Sequence, residues 1–142
     1  MAGFGNDYED LVLEGIFKGQ SVAPADIYVS LHSADPGDTG ANEIATTGGY
    51  AREQVSPDAG TAAGTWSAVA NGSVSNAGQI DMGTASGSAW NAGNAITHFG
   101  LWTASSAGTF IAGGQINSGT GVVVLDGTQL VFPASQLTVT LD

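Results

Sequence analysis

The seven residues from Ile96 to Trp102 carry large apolar side chains at both sets of alternating positions. In a β-strand, Ile96 and Trp102 would face one way and Phe99 and Leu101 the other. Turn-forming clusters bound the run on both sides, which makes it too short for a helix. The pattern therefore predicts a central strand covered on both faces, with these four residues in the core. Gly100, inside the strand, predicts a bulge or a close approach by a neighbouring group.

The first apolar pattern of the chain has the period of a helix, over about residues 7–18. Asn6 can cap such a helix and Glu9 stands three residues on, as in a capping box. Gly19, just after Lys18, suits a left-handed stop. The helix is amphipathic and must pack its apolar stripe on the sheet or on another subunit. The stripe, which supplies interface candidates, consists of Tyr8, Leu11, Val12 and Ile16.

After the helix, short blocks with strand alternation follow at spacings of about 8 to 12 residues. Such spacing is typical of an antiparallel sandwich or jelly roll rather than a βαβ design. We therefore predict an all-β fold: one β-sandwich or jelly-roll-like domain over residues 1–142, with the N-terminal helix and about nine or ten strands between residues 26 and 141. A turn is expected at 57–60. Besides the central strand, the predicted strands are 26–33, 50–55, 65–69, 72–75, 79–82, 109–116, 122–125, 129–132 and 137–141.

The charge of the chain is strongly one-sided. The 142 residues contain 13 acidic side chains against Lys18 and Arg52, which gives a formal net charge of −11. Such a surface repels phosphate backbones and anionic lipid, which argues against nucleic-acid and membrane partners. No apolar run approaches the roughly 20 residues that span a bilayer, and the start lacks the features of a signal peptide, so we expect synthesis in the cytoplasm.

Side chains that could do chemistry are few. His32 and His98 are the two histidines, and each lies inside a predicted strand with no Gly-x-Ser-x-Gly turn nearby. The chain has no cysteine, so a zinc site has too few ligands and no disulfide can form. We therefore expect packed sheet histidines, no enzyme activity and no cofactor.

One acidic loop offers a weak candidate calcium site. Oxygen ligands on a glycine-rich loop suit calcium, but the spacing here is not that of an EF-hand and Asp-Pro-Gly-Asp is first of all a turn sequence. A structural turn is therefore the preferred interpretation. The candidate ligands are Asp35, Asp38, Asn42 and Glu43.

Two further side chains have more than one interpretation. Trp90 lies in a loop of small residues, 83–95, where exposure would make it an interface anchor or a platform for sugar stacking. Arg52, in a chain rich in acids, is expected to form a structural ion pair.

Several blocks together resemble a family of small structural proteins from tailed bacteriophages, whose members are often labelled tail fibre proteins. Their order and spacing match across nearly the whole chain. The resemblance implies a non-catalytic component of the virion, on the tail or on the head. The blocks are Ile27–His32 running into Ala34–Glu43, Gly48–Arg52, Thr97–Trp102, and Phe132–Ala134 through Leu137–Leu141.

The absence of a fibre shaft guides the choice between head and tail. A small β domain with an amphipathic helix and only 11% charged residues suits a cement protein that is largely covered by neighbours. The sequence therefore favours a homotrimeric capsid decoration protein that binds the major capsid protein and stabilises the head. The runner-up is a tail fibre or tail-tip adhesin that binds a host receptor. A free-standing carbohydrate-binding module is the third hypothesis.

Overall fold

The computed structural model describes residues 3–55 and 66–141. Every strand pairing in them is antiparallel. The prediction of an all-β fold with one N-terminal helix is thus confirmed, and no helix among these residues is long and apolar enough to cross a bilayer. The elements are α1 (Asn6–Lys18), β1 (Ile27–His32), β2 (Glu53–Val55), β3 (Ser73–Ser75), β4 (Ile80–Thr84), β5 (His98–Trp102), β6 (Phe110–Gln115), β7 (Gln129–Phe132) and β8 (Thr138–Thr140).

The strands form one four-stranded sheet and two ribbons. The sheet has the order β2-β1-β5-β6, while β3 pairs with β8 and β4 pairs with β7. Side chains from all three share a single buried cluster, which includes Phe99 of the sheet, Ile80 of one ribbon and Val139 of the other. Burying one apolar face of each layer against the others is the arrangement of a β-sandwich.

The predicted central strand lies between β1 and β6, and all five residues of β5 are buried. Ile96, just before it, is also buried and pairs with Val122. Gly100 marks a close approach, because a Cβ there would lie 2.6 Å from both His32 Nε2 and Ser30 Oγ. The irregularity in the pairing with β6 falls one residue later, between Leu101 and Trp102.

Helix α1 ends as predicted but begins differently. Gly19 has φ 68°, and its N–H donates to the carbonyl of Gly15. The predicted capping box is wrong, since Asn6 is the first helical residue and Gly5 is the N-cap, without a side-chain cap. Gly5 N–H instead donates to Ile111 O at 2.9 Å, and a Cβ on Gly5 would lie 2.8 Å from the Phe110 ring. The helix start is therefore pressed against β6, where a capping side chain does not fit.

Two predicted strands do not form as ladders. The segment 122–125 makes an isolated bridge from Val122 to Ile96, and Val124 O accepts from Trp90 N, but the neighbouring chain turns at Trp90–Gly93 and no ladder forms. In the predicted strand 65–69, Trp66 makes one bridge to Asn76, while Thr65 lies outside the described residues. The predicted turn 57–60 also lies outside them. The described residues thus hold eight strands rather than nine or ten.

Candidate functional site

Arg52 closes one end of the four-stranded sheet. Its Nε and Nη2 donate to the two carboxylate oxygens of Glu43 at 2.9 and 2.6 Å, a bidentate pair in which the arginine side chain is 8% exposed. Its Nη1 donates to the carbonyls of Ala104 and Ala107. Burial alone would raise the pKa of Glu43, but the hydrogen bonds and charge of Arg52 hold it below its usual value. The expected structural ion pair is therefore present.

Trp90 is not the exposed loop residue that its surroundings indicated. It is fully buried, and its Nε1 donates to Gly48 O at 2.8 Å. Its ring meets that of Tyr50 edge to face, with the centroids 5.6 Å apart. The small residues around Trp90 let the loop fold inward over the core, so the indole is covered and offers neither an interface anchor nor a sugar platform.

His32 lies in a buried chain of hydrogen bonds. Its Nδ1 is 2.6 Å from Ala41 O, which can only accept, so Nδ1 carries the proton. Nε2 then accepts from Ser30 Oγ at 2.7 Å, and Ser30 Oγ accepts from Trp102 Nε1 at 2.9 Å. Burial lowers the pKa of His32, which keeps the ring in the neutral form that this chain needs.

The contact between Ser30 and His32 does not make a nucleophile. Both residues are fully buried, and the second ring nitrogen of His32 meets a backbone carbonyl rather than a carboxylate. Gly100 Cα packs directly against the pair, as the absence of room for a Cβ shows. The second histidine, His98, is also buried, with Nδ1 2.9 Å from Thr97 Oγ1. His32 therefore joins β1 to the loop at Ala41 and, through Ser30, to Trp102 of β5, while His98 is a packed residue of β5.

The four calcium candidates do not converge on one point. Glu43 is engaged by Arg52 and also accepts from the hydroxyl of Tyr50 at 3.0 Å. Asp35 Oδ1 accepts from Gly37 N, and the Asn42 amide donates to Asp35 O, which are turn contacts. Asp38 belongs to the same turn, in a 3-10 segment Gly37–Thr39. Among the described residues, no group of three or more histidine and acidic side chains could hold a metal ion.

The apolar stripe of α1 is divided between the core and the solvent. Tyr8 is buried, with its hydroxyl donating to Val22 O, and Leu11 and Val12 pack partly against the core. Ile16 is exposed instead. The helix has a second, exposed apolar surface, here called the helix face, which consists of Leu13, Ile16 and Phe17 at 53, 69 and 80% exposure.

A polar groove of about 630 Å³ lies where the end of β6 meets β8. It is lined by residues 113–115, by two threonines of β8 and by two turns, at 117–118 and 135–136, which are here called its walls. At Gly114 a Cβ would lie 2.6 Å from the Phe99 ring and 2.8 Å from Thr138 O, so glycine is what lets β6 and β8 come together. Every residue that lines the groove is uncharged, and none is aromatic.

A buried asparagine holds one wall of the groove. Asn76 donates from Nδ2 to Gly78 O and Pro133 O, at 2.7 and 2.9 Å, and its Oδ1 accepts from Leu137 N at 2.9 Å. Its main-chain carbonyl accepts from Ser135 N at 2.7 Å. Asn76 is fully buried, so these bonds are shielded from water and fix the turn firmly.

The sequence pattern placed Ile16 among the interface candidates but not Leu13 or Phe17, and it did not predict the groove. The serine and histidine at an i, i+2 spacing in β1 could have been found, because such residues share one face of a strand. The groove had only a weak signal, the two polar turn sequences Asn117-Ser118-Gly119 and Pro133-Ala134-Ser135-Gln136. Their proximity depends on the pairing of distant strands, which local patterns do not specify.

Comparison with known proteins gives one family. Residues 3–140 match the family Gp80, described as podophage GP4 fiber I protein gp80. The match includes the helix and all eight strands of the described residues. No curated protein matches the chain significantly.

Proposed function

This chain belongs to the Gp80 family, the podophage GP4 fiber I proteins, and from that membership we propose that it is a non-catalytic subunit of a tail fibre or tail tip that meets the host surface. The family makes it a structural protein of a tailed phage and a component of the virion. The match over residues 3–140 is the observation that carries the proposal. It favours the tail adhesin, which was the runner-up from sequence, over the capsid decoration protein.

The helix face is the proposed attachment surface to another protein of the particle. Leu13 lies three residues before Ile16 and four before Phe17, so it neighbours both on the helix surface and the three side chains form one apolar patch. Exposed patches of this kind are a feature of protein interfaces. An apolar groove on the partner could cover the patch, in the manner of other helix-in-groove contacts.

Charge indicates what kind of partner fits this face. Asp10, Glu14 and Lys18 line a shallow depression beside Leu13 and Phe17, and Lys18 pairs with Glu14, on a chain of net charge −11. A second copy would bring like charges together, which costs binding energy. The partner is therefore a different virion protein, with an apolar groove bordered by Lys or Arg.

Assembly of the chain into a homotrimer, the state expected from sequence, is a separate part of the proposal and would use a surface other than the helix face. Several copies on one particle would multiply weak contacts with the host surface. The mass of the purified protein in solution, measured by light scattering, tests it: a mass of three chains supports the trimer, and a monomer at all concentrations contradicts it.

Particles made without this protein test the function. We expect them to adsorb poorly to host cells while retaining their DNA on heating as well as complete particles. Adding back the purified protein should restore adsorption. Normal adsorption together with early DNA release on heating would overturn the proposal.

That second outcome would support the capsid decoration protein, which the sequence favoured. The observation in its favour is that the described residues form a small sandwich without a shaft. A protein that binds only the assembled shell stabilises it by mass action, which explains the early DNA release expected in its absence.

A further inference from the structure

We propose that the polar groove between β6 and β8 binds a neutral oligosaccharide, an inference that rests on the proposed function as a host-surface adhesin and specifies its ligand. At about 630 Å³ the groove falls within the range of sites that hold small ligands, about 300–1,000 Å³. Its lining of amides, hydroxyls and bare main chain is suited to a ligand that is rich in hydroxyl groups.

The groove presents polar side chains that the described residues leave without partners. Gln115, Ser118, Ser135 and Gln136 make no side-chain hydrogen bond within that part of the structure. Each can both donate and accept, as sugar hydroxyls can. A Cβ built on Gly119 would lie 3.5 Å from Gln115 Nε2, so the Gln115 amide is close to the first turn. These groups can exchange water for ligand without breaking protein contacts.

Two serines that line the groove have a left-handed backbone conformation. Ser118 and Ser135 have φ 53° and 65°, and they are the two described serines in the left-handed region. A side chain other than glycine or asparagine pays for that conformation, and strained positions of this kind cluster at functional sites. The other left-handed positions of the described residues hold glycine in most cases, asparagine in four and alanine in two. Retaining hydroxyls at these two costs stability and supplies hydrogen-bonding groups to the two walls.

Charge restricts the ligand to a neutral one. No Lys or Arg lines the groove, and the net charge of −11 repels sialylated or phosphorylated sugars. No aromatic ring is present for stacking, so affinity depends on hydrogen bonds and each site is weak. Several copies on a particle would raise the avidity without any new contact.

A glycan array with the purified protein, clustered on beads, tests this inference. The array carries neutral oligosaccharides of hexoses and N-acetylhexosamines beside sialylated and phosphorylated ones. The groove variant is Ser118→Gly, Ser135→Gly, Gln136→Ala. Its glycine substitutions suit the left-handed backbone, so the fold should survive. The matched control is Ala107→Gly, which has φ 53° and lies in the hairpin at the other end of β6.

We expect binding to neutral oligosaccharides that weakens at least about tenfold in the groove variant and is unchanged in the control. A blank array, binding confined to anionic sugars, or equal binding by the groove variant would each overturn the inference. Its failure is distinguishable from failure of the proposed function: a blank array with adsorption lost in particles lacking the protein refutes only the glycan. Groove-dependent glycan binding with normal adsorption of those particles refutes only the adhesin.

Discussion

The guanidinium carbon of Arg52 lies 3.9 Å from the centroid of the Trp102 indole ring. The same indole donates to Ser30, and the same guanidinium forms a salt bridge with Glu43. The stacked pair therefore joins the buried hydrogen bonds of β1 to the salt bridge. A cation over an aromatic face attracts the ring electrons, most strongly where water is excluded. The pair therefore connects the interior of β1 to the loops that close its end.

Replacing Arg52 should destabilise the fold strongly. Arg52→Gln leaves Glu43 without its partner in a partly buried position, and we expect a loss of about 3 kcal/mol in urea unfolding. Arg52→Lys should recover little of the lost stability, because an ammonium group cannot form the bidentate hydrogen bonds or stack flat on the indole ring. The control is Lys18→Gln, which breaks the exposed pair with Glu14 and should leave the melting temperature unchanged. Equal effects of the two changes would show that Arg52 is not a structural anchor.

Acid should weaken the protein in two stages. The pKa of His32 is held below its ordinary 6.5 by burial, so below about pH 6.5 the unfolded chain binds a proton that the folded chain refuses. The contribution of the neutral His32 to the free energy of unfolding is complete above that pH. It falls as the pH drops towards the folded-state pKa, by up to about 1.4 kcal/mol per pH unit.

The second stage belongs to Glu43, whose pKa is lowered on folding. Its contribution is present above about pH 4.5 and is lost as the pH falls through its folded-state pKa. Urea unfolding at a series of pH values measures both stages. The His32→Asn variant should lack the first stage, and an unchanged slope between pH 5 and 6.5 in that variant would refute the assignment.

The two large aromatic residues of β5 should be central to stability. Phe99 is fully buried and Trp102 nearly so. Truncation to alanine leaves a cavity, and we expect Phe99→Ala and Trp102→Ala each to cost about 3–5 kcal/mol or to prevent soluble expression. Phe17→Ala, at an exposed aromatic, should stay within about 0.5 kcal/mol of the unmodified protein. Melting temperatures near normal for both β5 variants would place the core elsewhere.

Asn76 should be intolerant even of a nearly isosteric change. In Asn76→Asp the carboxylate cannot donate to Gly78 O and Pro133 O, and a charge would be buried. We expect a loss of about 3 kcal/mol in the free energy of unfolding. Asn71→Asp, at an exposed turn, serves as the control. Amide exchange should also quicken at Ser135 and Leu137, whose N–H groups bond to Asn76. Unaltered exchange would mean that Asn76 does not hold the turn.

Polar substitutions on the helix face should separate folding from attachment. Ile16→Ser and Phe17→Ser remove exposed apolar surface, so the melting temperature should hold while incorporation into particles falls at least about tenfold. Quantifying the protein in purified particles measures this. Val123→Ser, at a valine 51% exposed outside the helix, should be incorporated normally. Full incorporation of the helix variants would exclude this face as the attachment surface.

The sequence predicted those elements whose pattern is set locally. The first part of the α1 stripe, the alternation of β7 and the two-sided apolar run of β5 each record how the segment is buried, and the structure has these elements close to the expected bounds, although Ile16 at the end of the stripe is exposed. The segment 122–125 also alternates, with Val124 buried and Val123 exposed, but alternation shows burial of one face and not the presence of a partner strand.

Long-range contacts explain the remaining differences. Trp90 is buried against residues distant in sequence: Gly48, 42 positions earlier, accepts its indole hydrogen bond, and the ring of Tyr50 packs against it. The groove depends on a turn held from Asn76, 57 positions before Pro133. The local sequence does not indicate contacts between residues so far apart in the chain. The burial of Trp90 and the position of the groove could therefore not be predicted from it.

The salt bridge at the end of α1 makes the helix face unusually easy to observe. Lys18 is the one lysine of the sequence, its side chain is 62% exposed beside Glu14, and it directly follows Phe17. An amine-reactive cross-linker therefore has a single side-chain amine to attack, and it lies at the edge of the proposed contact. Any protein joined to that amine in intact particles is a neighbour of this helix, so one cross-linked peptide would name the partner.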